Sequence, residues 1–312
     1  MTRAARVSAV NPICYRAMSV VAPSRYAVVE TKDLVETHHL LDHERNAEVV
    51  VAPVRGGMVT RFRVGDDDIL FLDHATLRDH SQNVRGGIPV LFPIAGRLTN
   101  DRFSLDGESV SLGQHGFARN LPWRITYTDG TQAAAITLSV EHSESTLAVW
   151  PFRFRLTFRY ELRDGALTIQ QKYENLDERP MPIHPGLHPY FRVEDWRKRE
   201  ARVNTPATRV FDNRTGTQAA LNAPIDLGSG EVDLQLLDHG GTSIRLDRPD
   251  ALAVELTYDD PATVIAVWTL PSRGFVCIEP WVRQADALNR GDAVVVPVDG
   301  AHQAMLKISP GI

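Results

Sequence analysis

At 312 residues, 43% hydrophobic and 23% charged, the chain has the make-up of a soluble globular protein, and no apolar run approaches the ~18 residues of a membrane span. A formal net charge of −5 argues against an electrostatic footprint for nucleic acid and points to a small or neutral partner. Cys14 and Cys277 are too few and too far apart for a disulfide scaffold, which fits a reducing, cytoplasmic compartment.

In chain order, residues 1–25 carry Arg3, Arg6, Arg16 and Arg25 and no acid. Asn11, Pro12 and Arg16 break any continuous secretory core of ~7 to 15 apolar residues, so this stretch reads as a loose N-terminal extension. Thr37 to Arg45 is polar and His-rich; its irregular ligand spacing favours a solvated turn or short helix over a metal site. From Ala47 the signal is β. Val49 to Val51 and Met58 to Val64 are candidate strands separated by a Gly56-Gly57 turn. The clearest periodicity runs from Phe152 to Leu162, where every second residue is large and apolar, as in a half-buried antiparallel strand. Asp164-Gly165 then turns the chain into Ala166 to Asn175, predicting a hairpin. Further short candidates are Ala201 to Val203, Thr242 to Leu246, Ala253 to Tyr258, Val264 to Trp268, Phe275 to Glu279 and Gln303 to Ser309. No long segment of period 3.6 lies between them, which argues against βαβ units and for packed antiparallel sheets. The expected fold is all-β, a large antiparallel β-sandwich with few short helices, in a single domain over 26–312.

Four segments carry candidate chemistry. GGIPVLFPIAGR (86–97) ends a Gly- and Pro-rich apolar stretch on Arg97, and a buried guanidinium there needs either a core carboxylate or a ligand oxygen. QHGFAR (114–119) sets His115 beside a glycine, where a ligand can approach the backbone. Phe117 or Trp123 offers a flat surface for a sugar ring, or simply core packing. In HPGLHPYF (184–191) two prolines exclude a helix interior or central strand and demand a rigid turn or sheet edge. The i, i+4 spacing of His184 and His188 therefore does not make a helical zinc pair, and no metal is expected. In CIEPWVRQADALN (277–289) Glu279 closes an apolar run, and burial without a cation would raise its pKa toward that of a working base; the alternative is an edge carboxylate paired with Arg283 or Arg97.

HPYF (188–191), and IEPW followed by ADALN between 278 and 289, resemble the paired signatures of the aldose 1-epimerase, or mutarotase, family. The blocks at 86–97 and 114–119 are similar to the upstream blocks of its bacterial members, and the resemblance spans roughly 45 to 310. It implies a β-sandwich with the sugar in an open cleft. His188 would be the general acid toward the ring oxygen, and Glu279 the base that removes the anomeric proton. Arg97 and His115 would contact the sugar, with Asp233 as the acidic sugar-binding residue, and no metal or cofactor takes part. One departure is Pro-Gly-Leu before His188, where the family usually has Asn or Thr ahead of the His-x-Tyr-Phe pattern. The expected activity is interconversion of the anomers of a free hexose by a monomer or homodimer. The QHGFAR block also resembles hexose-6-phosphate epimerases, in which arginines collect the phosphate; Arg78, Arg85, Arg102 and Arg119 are the candidates here. A catalytically silent sugar-binding protein, or a glycoside hydrolase using Glu255 or Asp286, are the remaining readings.

Overall fold

The computed structural model describes residues 24–32, 35–259 and 264–311. Apart from Ser24 and Arg25, the expected N-terminal extension lies outside these residues, as does Cys14. The strong alternation from Phe152 onward becomes the strand Phe154–Arg163, with Phe154, Leu156, Phe158, Tyr160 and Leu162 all buried on one face. Asp164 and Gly165 turn with φ of 52° and 74°, the twist a two-residue hairpin requires. They lead into Ala166–Asn175 in the register Arg163↔Ala166.

This hairpin is the centre of an eight-stranded antiparallel sheet in the order Arg202–Asn204, Ser243–Asp247, Val254–Tyr258, Ala301–Pro310, Ala166–Asn175, Phe154–Arg163, Ala134–Glu141 and Arg124–Asp129. A second large sheet runs Thr217–Ala220, Arg209–Asp212, Val232–Leu236, Val264–Thr269, Phe275–Trp281, Gly186–Leu187 and Val90–Leu91, with Tyr190–Arg192 also pairing to Phe275–Trp281. A five-stranded sheet of Tyr26–Lys32, Glu36–Asp42, Ala47–Ala52, Met58–Val64 and Asp67–Asp68 adjoins them. Buried side chains of all three, from Tyr26 to Ile308, form one contiguous apolar core. The longest described helix, His74–Arg78, has 5 residues, and no described helix is long and apolar enough to cross a membrane.

Thr37 to Arg45 departs in part from its expected turn or short helix: 43–45 form an exposed turn, but the residues before them do not. It holds the strand Glu36–Asp42, in which His38, Leu40 and Asp42 alternate inward. Polar side chains hid the period. Asp42 can be buried because Arg25 Nε and Nη2 donate to its two carboxylate oxygens at 3.0 Å each, a two-point charge-assisted contact. The prolines of 184–191 also behave differently from expectation. Pro185 and Pro189 flank a two-residue strand, Gly186–Leu187, that sits between Phe275–Trp281 and Val90–Leu91, inside the sheet and not at its edge. A strand this short needs few donors, so the missing proline N–H groups fall just outside the ladder.

Phe158→Ala would empty a ring whose centroid lies 5.1 Å from that of Trp123 and 5.6 Å from that of Tyr173. Urea unfolding is expected to show a loss of about 3–5 kcal/mol. A loss under about 1 kcal/mol would mean that the core closes over the gap.

Candidate active site

The strand Phe275–Trp281 has two faces. Val276 and Ile278 point into the main core, whereas Phe275, Cys277 and Trp281 belong to separate small clusters on the other side. Glu279 shares that outer face by period 2. On one flank, Gly186 pairs with Trp281 and Tyr190 with Cys277, and the antiparallel register carries His188 to a place opposite Glu279. His188 Nε2 lies 3.4 Å from Glu279 Oε1. On the other flank, Ala266 pairs with Glu279 and Gln235 with Ala266, while Trp268 pairs with both Cys277 and Asp233. Ala266, a bare methyl, leaves open space above the sheet between Gln235 and Glu279.

His188, Asp233, Gln235, Ala266, Trp268 and Glu279 floor a cleft of about 1240 Å³, with walls from segments 81–85, 96–99, 114–119 and 284–290. Glu279 is 2% exposed and His188 6%. Burial pushes the Glu279 carboxyl well above its ordinary pKa, reinforced by the charge of Asp233, while Trp281 and Arg119 oppose the shift. Trp281 Nε1 donates to Glu279 Oε2 at 3.2 Å. Burial pushes His188 down to about 3, with Arg119 and Arg85 adding to the effect and a backbone hydrogen bond opposing it. Both trends follow from desolvation, which disfavours each charged form. Burial therefore favours the neutral form of both groups, imidazole and carboxyl. Tyr190 stacks on the His188 ring at 4.5 Å and 7°, setting its plane.

His115 is buried against the same histidine, ring centroids 5.4 Å apart. Its backbone N–H donates to Gly96 O at 2.8 Å, and Gly96 N–H donates to His115 Nδ1 at 3.0 Å. Nδ1 is thus an acceptor, and the neutral ring carries its proton on Nε2. The adjacent glycine serves packing and not a ligand: at Gly116 a Cβ would sit 2.2 Å from Phe92 O.

Asp233 ends a hydrogen-bond relay of fixed polarity. Ala285 N–H donates to Gln235 Oε1 at 2.9 Å, Gln235 Nε2 to Asn213 Oδ1 at 2.7 Å, and Asn213 Nδ2 to Asp233 Oδ1 at 2.6 Å. The backbone donor at one end orients both amides. Burial raises the Asp233 pKa and the Asn213 hydrogen bond restrains it.

Other expected residues fall less neatly. Arg97 lines the cleft, but its side chain is 64% exposed and lies 3.4 Å from Asp101; the turn before it is buried while the guanidinium reaches the rim. Arg119 lines the cleft and donates to Gln114 O at 2.9 Å, leaving its buried Nε without a partner. Of the four phosphate candidates only Arg85 and Arg119 reach the cleft; Arg97 and Arg290 complete its arginine lining, and Arg78 and Arg102 stand outside it. His184 is fully buried away from the cleft lining and is pushed down to about 3 by burial. Phe117 and Trp123 pack in or against the core, and the aromatic surfaces of the cleft are Tyr190, Phe211, Trp268 and Trp281. Glu255 sits on the other large sheet. Asp286 accepts from Thr99 N–H and Oγ1 and from Asn289 Nδ2, which makes it a brace for the cleft wall. Asn213, Gln235, Trp268 and Trp281 were not anticipated; the period-2 rule applied outward from Asp233 and Glu279 points to Gln235 and Trp281, whereas Asn213 has no local signal.

The family model described as aldose 1-epimerase matches residues 37–292. Over 231 residues the chain is 29% identical to a Salmonella typhimurium protein provisionally named glucose-6-phosphate 1-epimerase, covering 69% of this chain and 73% of that one. The crystal structure of a Synechocystis sp. PCC 6803 protein is similar with a TM-score of 0.86 at 34% identity, over 92% of this chain and 99% of the other. That of a galactose mutarotase-like protein from Clostridium acetobutylicum, at 17% identity, shares the fold with a TM-score of 0.76 over 92% and 98% of the two chains.

Asn213→Leu removes the donor that restrains Asp233. The Asp233 carboxyl is expected to titrate at higher pH than in the parent, as followed by carbon-detected NMR of labelled aspartates. An unchanged titration would show that the relay does not act on this group.

Proposed function

Because the chain belongs to the aldose 1-epimerase family, we propose that it is a hexose-6-phosphate 1-epimerase, with His188 and Glu279 exchanging one proton across the sugar ring. The observation that carries this reading is the buried 3.4 Å His188–Glu279 contact in a cleft also lined by arginines. Ring opening needs an acid at the ring oxygen O5 and a base at the C1 hydroxyl. In the charge-separated form of the pair, imidazolium donates to O5 while carboxylate removes the hydroxyl proton. The C1–O5 bond breaks and leaves a C1 aldehyde and a C5 hydroxyl. Imidazole and protonated carboxyl remain, the form that burial favours. Rotation about C1–C2 and the reverse transfers close the ring on the other face. One proton is conserved throughout.

Substrate class follows from where the charges lie. O5 is bonded to C5, which bears C6, so a 6-phosphate leaves the ring on the side of the residue that protonates O5. That residue is His188, and the guanidiniums that depress its pKa are Arg119 and Arg85. Arg85 makes no side-chain hydrogen bond or ion pair among the described residues, and both arginines line the cleft. Arginine suits a phosphate through bidentate hydrogen bonds. On the opposite side C1 is bonded to C2, and the carboxylate that acts on Glu279 is Asp233, an acceptor suited to sugar hydroxyls. The free hexose expected from sequence would leave the Arg85 side chain and the buried Nε of Arg119 without a partner. The similarity to a protein named for glucose 6-phosphate supports the phosphosugar as well.

Exchange NMR on glucose 6-phosphate and polarimetry on fresh α-D-glucose test the reading. Acceleration of the phosphate well above that of the free sugar is expected, and the opposite preference would restore the free hexose. Glu279→Gln and His188→Asn should each lower turnover by about 10² to 10⁴ with the fold retained by circular dichroism. The pH profile of kcat/KM should be bell-shaped: activity falls on the acid side as the pair takes a second proton, and on the alkaline side as it loses its only one. Arg85→Ala or Arg119→Ala should raise KM for the phosphate by about 10- to 100-fold, the worth of a charge-assisted hydrogen bond. The same changes should spare any residual activity on free glucose.

A further inference from the structure

Cys277 has no part in the proton transfer, yet its thiol lies beside it. His188, Cys277 and Glu279 each offer one ligand atom, and these three atoms lie within 4.8 Å of one another. We propose that this trio is an inhibitory site for a thiophilic divalent cation such as Zn²⁺, entering from the cleft floor. The ligand chemistry is that of zinc: imidazole nitrogen, thiolate sulfur and carboxylate oxygen, on residues of which His188 and Glu279 line the cleft and Cys277 lies buried beneath it. Charge balance favours it too. A dication with one thiolate, one carboxylate and a neutral imidazole is electrically neutral, which a desolvated floor tolerates better than any single ion. In the metal-free site burial, with Glu279 adding, holds the Cys277 thiol protonated, well above its ordinary pKa. On binding, metal–sulfur and metal–oxygen bonds replace S–H and carboxyl O–H, the released protons pass to water, and no oxidation state changes. Affinity should therefore rise with pH. His184, whose spacing first suggested a metal, is not one of the three.

Metal binding stands on the geometry alone; its consequence for turnover rests on the proposed epimerase activity. A bound cation takes up the Glu279 oxygen and the His188 nitrogen that exchange the proton, so it should stop turnover.

The test uses the full chain carrying Cys14→Ser, so that any thiolate signal belongs to Cys277, together with a Cys277→Val derivative that keeps the packing volume. Co²⁺ is the optical probe and Zn²⁺ the inhibitor. Co²⁺ should give a thiolate-to-metal charge-transfer band in the first protein and none in the second. Zn²⁺ should inhibit the first, and loss of the sulfur ligand should raise the inhibitory concentration by at least about tenfold. Activity before metal addition, and after treatment with a chelator, should be alike in the two. The proposal fails if no band forms, or if Zn²⁺ inhibits both proteins equally. If the parent turns over no sugar phosphate, the epimerase reading fails while the Co²⁺ band still decides the metal site.

Discussion

Desolvation of two groups that share one proton is the constraint on which the site depends. His188 and Glu279 face each other at 3.4 Å and are almost wholly buried, so either charge alone is expensive. Burial drives both toward neutrality, which lowers one pKa and raises the other. A donor and an acceptor whose usual order of affinity is offset by burial can trade places during a reaction, which acid–base catalysis requires. The same carboxylate in water would be a poorer base.

Holding that contact is a matter of sheet geometry. Gly186↔Trp281 and Tyr190↔Cys277 are ladder pairs on either side of it, so a shift of one residue would send Glu279 into the apolar core and bring Ile278 to the cleft floor. The core side of the strand, with Val276 and Ile278 fully packed, makes that shift costly. Around the pair, rigid elements do the positioning: the stacked Tyr190, the mutual Gly96–His115 hydrogen bonds, and the relay from Ala285 N–H to Asp233. Sites carried on strands and braced by a second layer of hydrogen bonds keep their geometry better than sites on loops.

Charge in the cleft is unevenly spread. Arg85 acts on His188 and Asp233 on Glu279, while Arg119 acts on both. This polarity suits the proposed phosphosugar, anionic at one end and hydroxylated at the other.

The sequence by itself determined the fold class and singled out His188 and Glu279, which the structure brings together. Period-2 alternation is local, and proline, histidine and glutamate in compact motifs keep their identity without neighbours in space. It also held Asp233 and Arg119, because they sit in short recognisable strings. It misjudged Thr37 to Asp42, since polar side chains satisfied by partners such as Arg25 look the same as solvated ones until the partner is seen. It placed Arg78 and Arg102 with the cleft arginines, and left Phe117 and Trp123 open between sugar stacking and core packing, because composition carries no direction. Tertiary structure alone decided which residues meet: Asn213 reaches Asp233 across 20 residues, and Cys277 reaches His188 only through strand pairing. Such contacts depend on register summed over distant segments, and no local pattern encodes that sum.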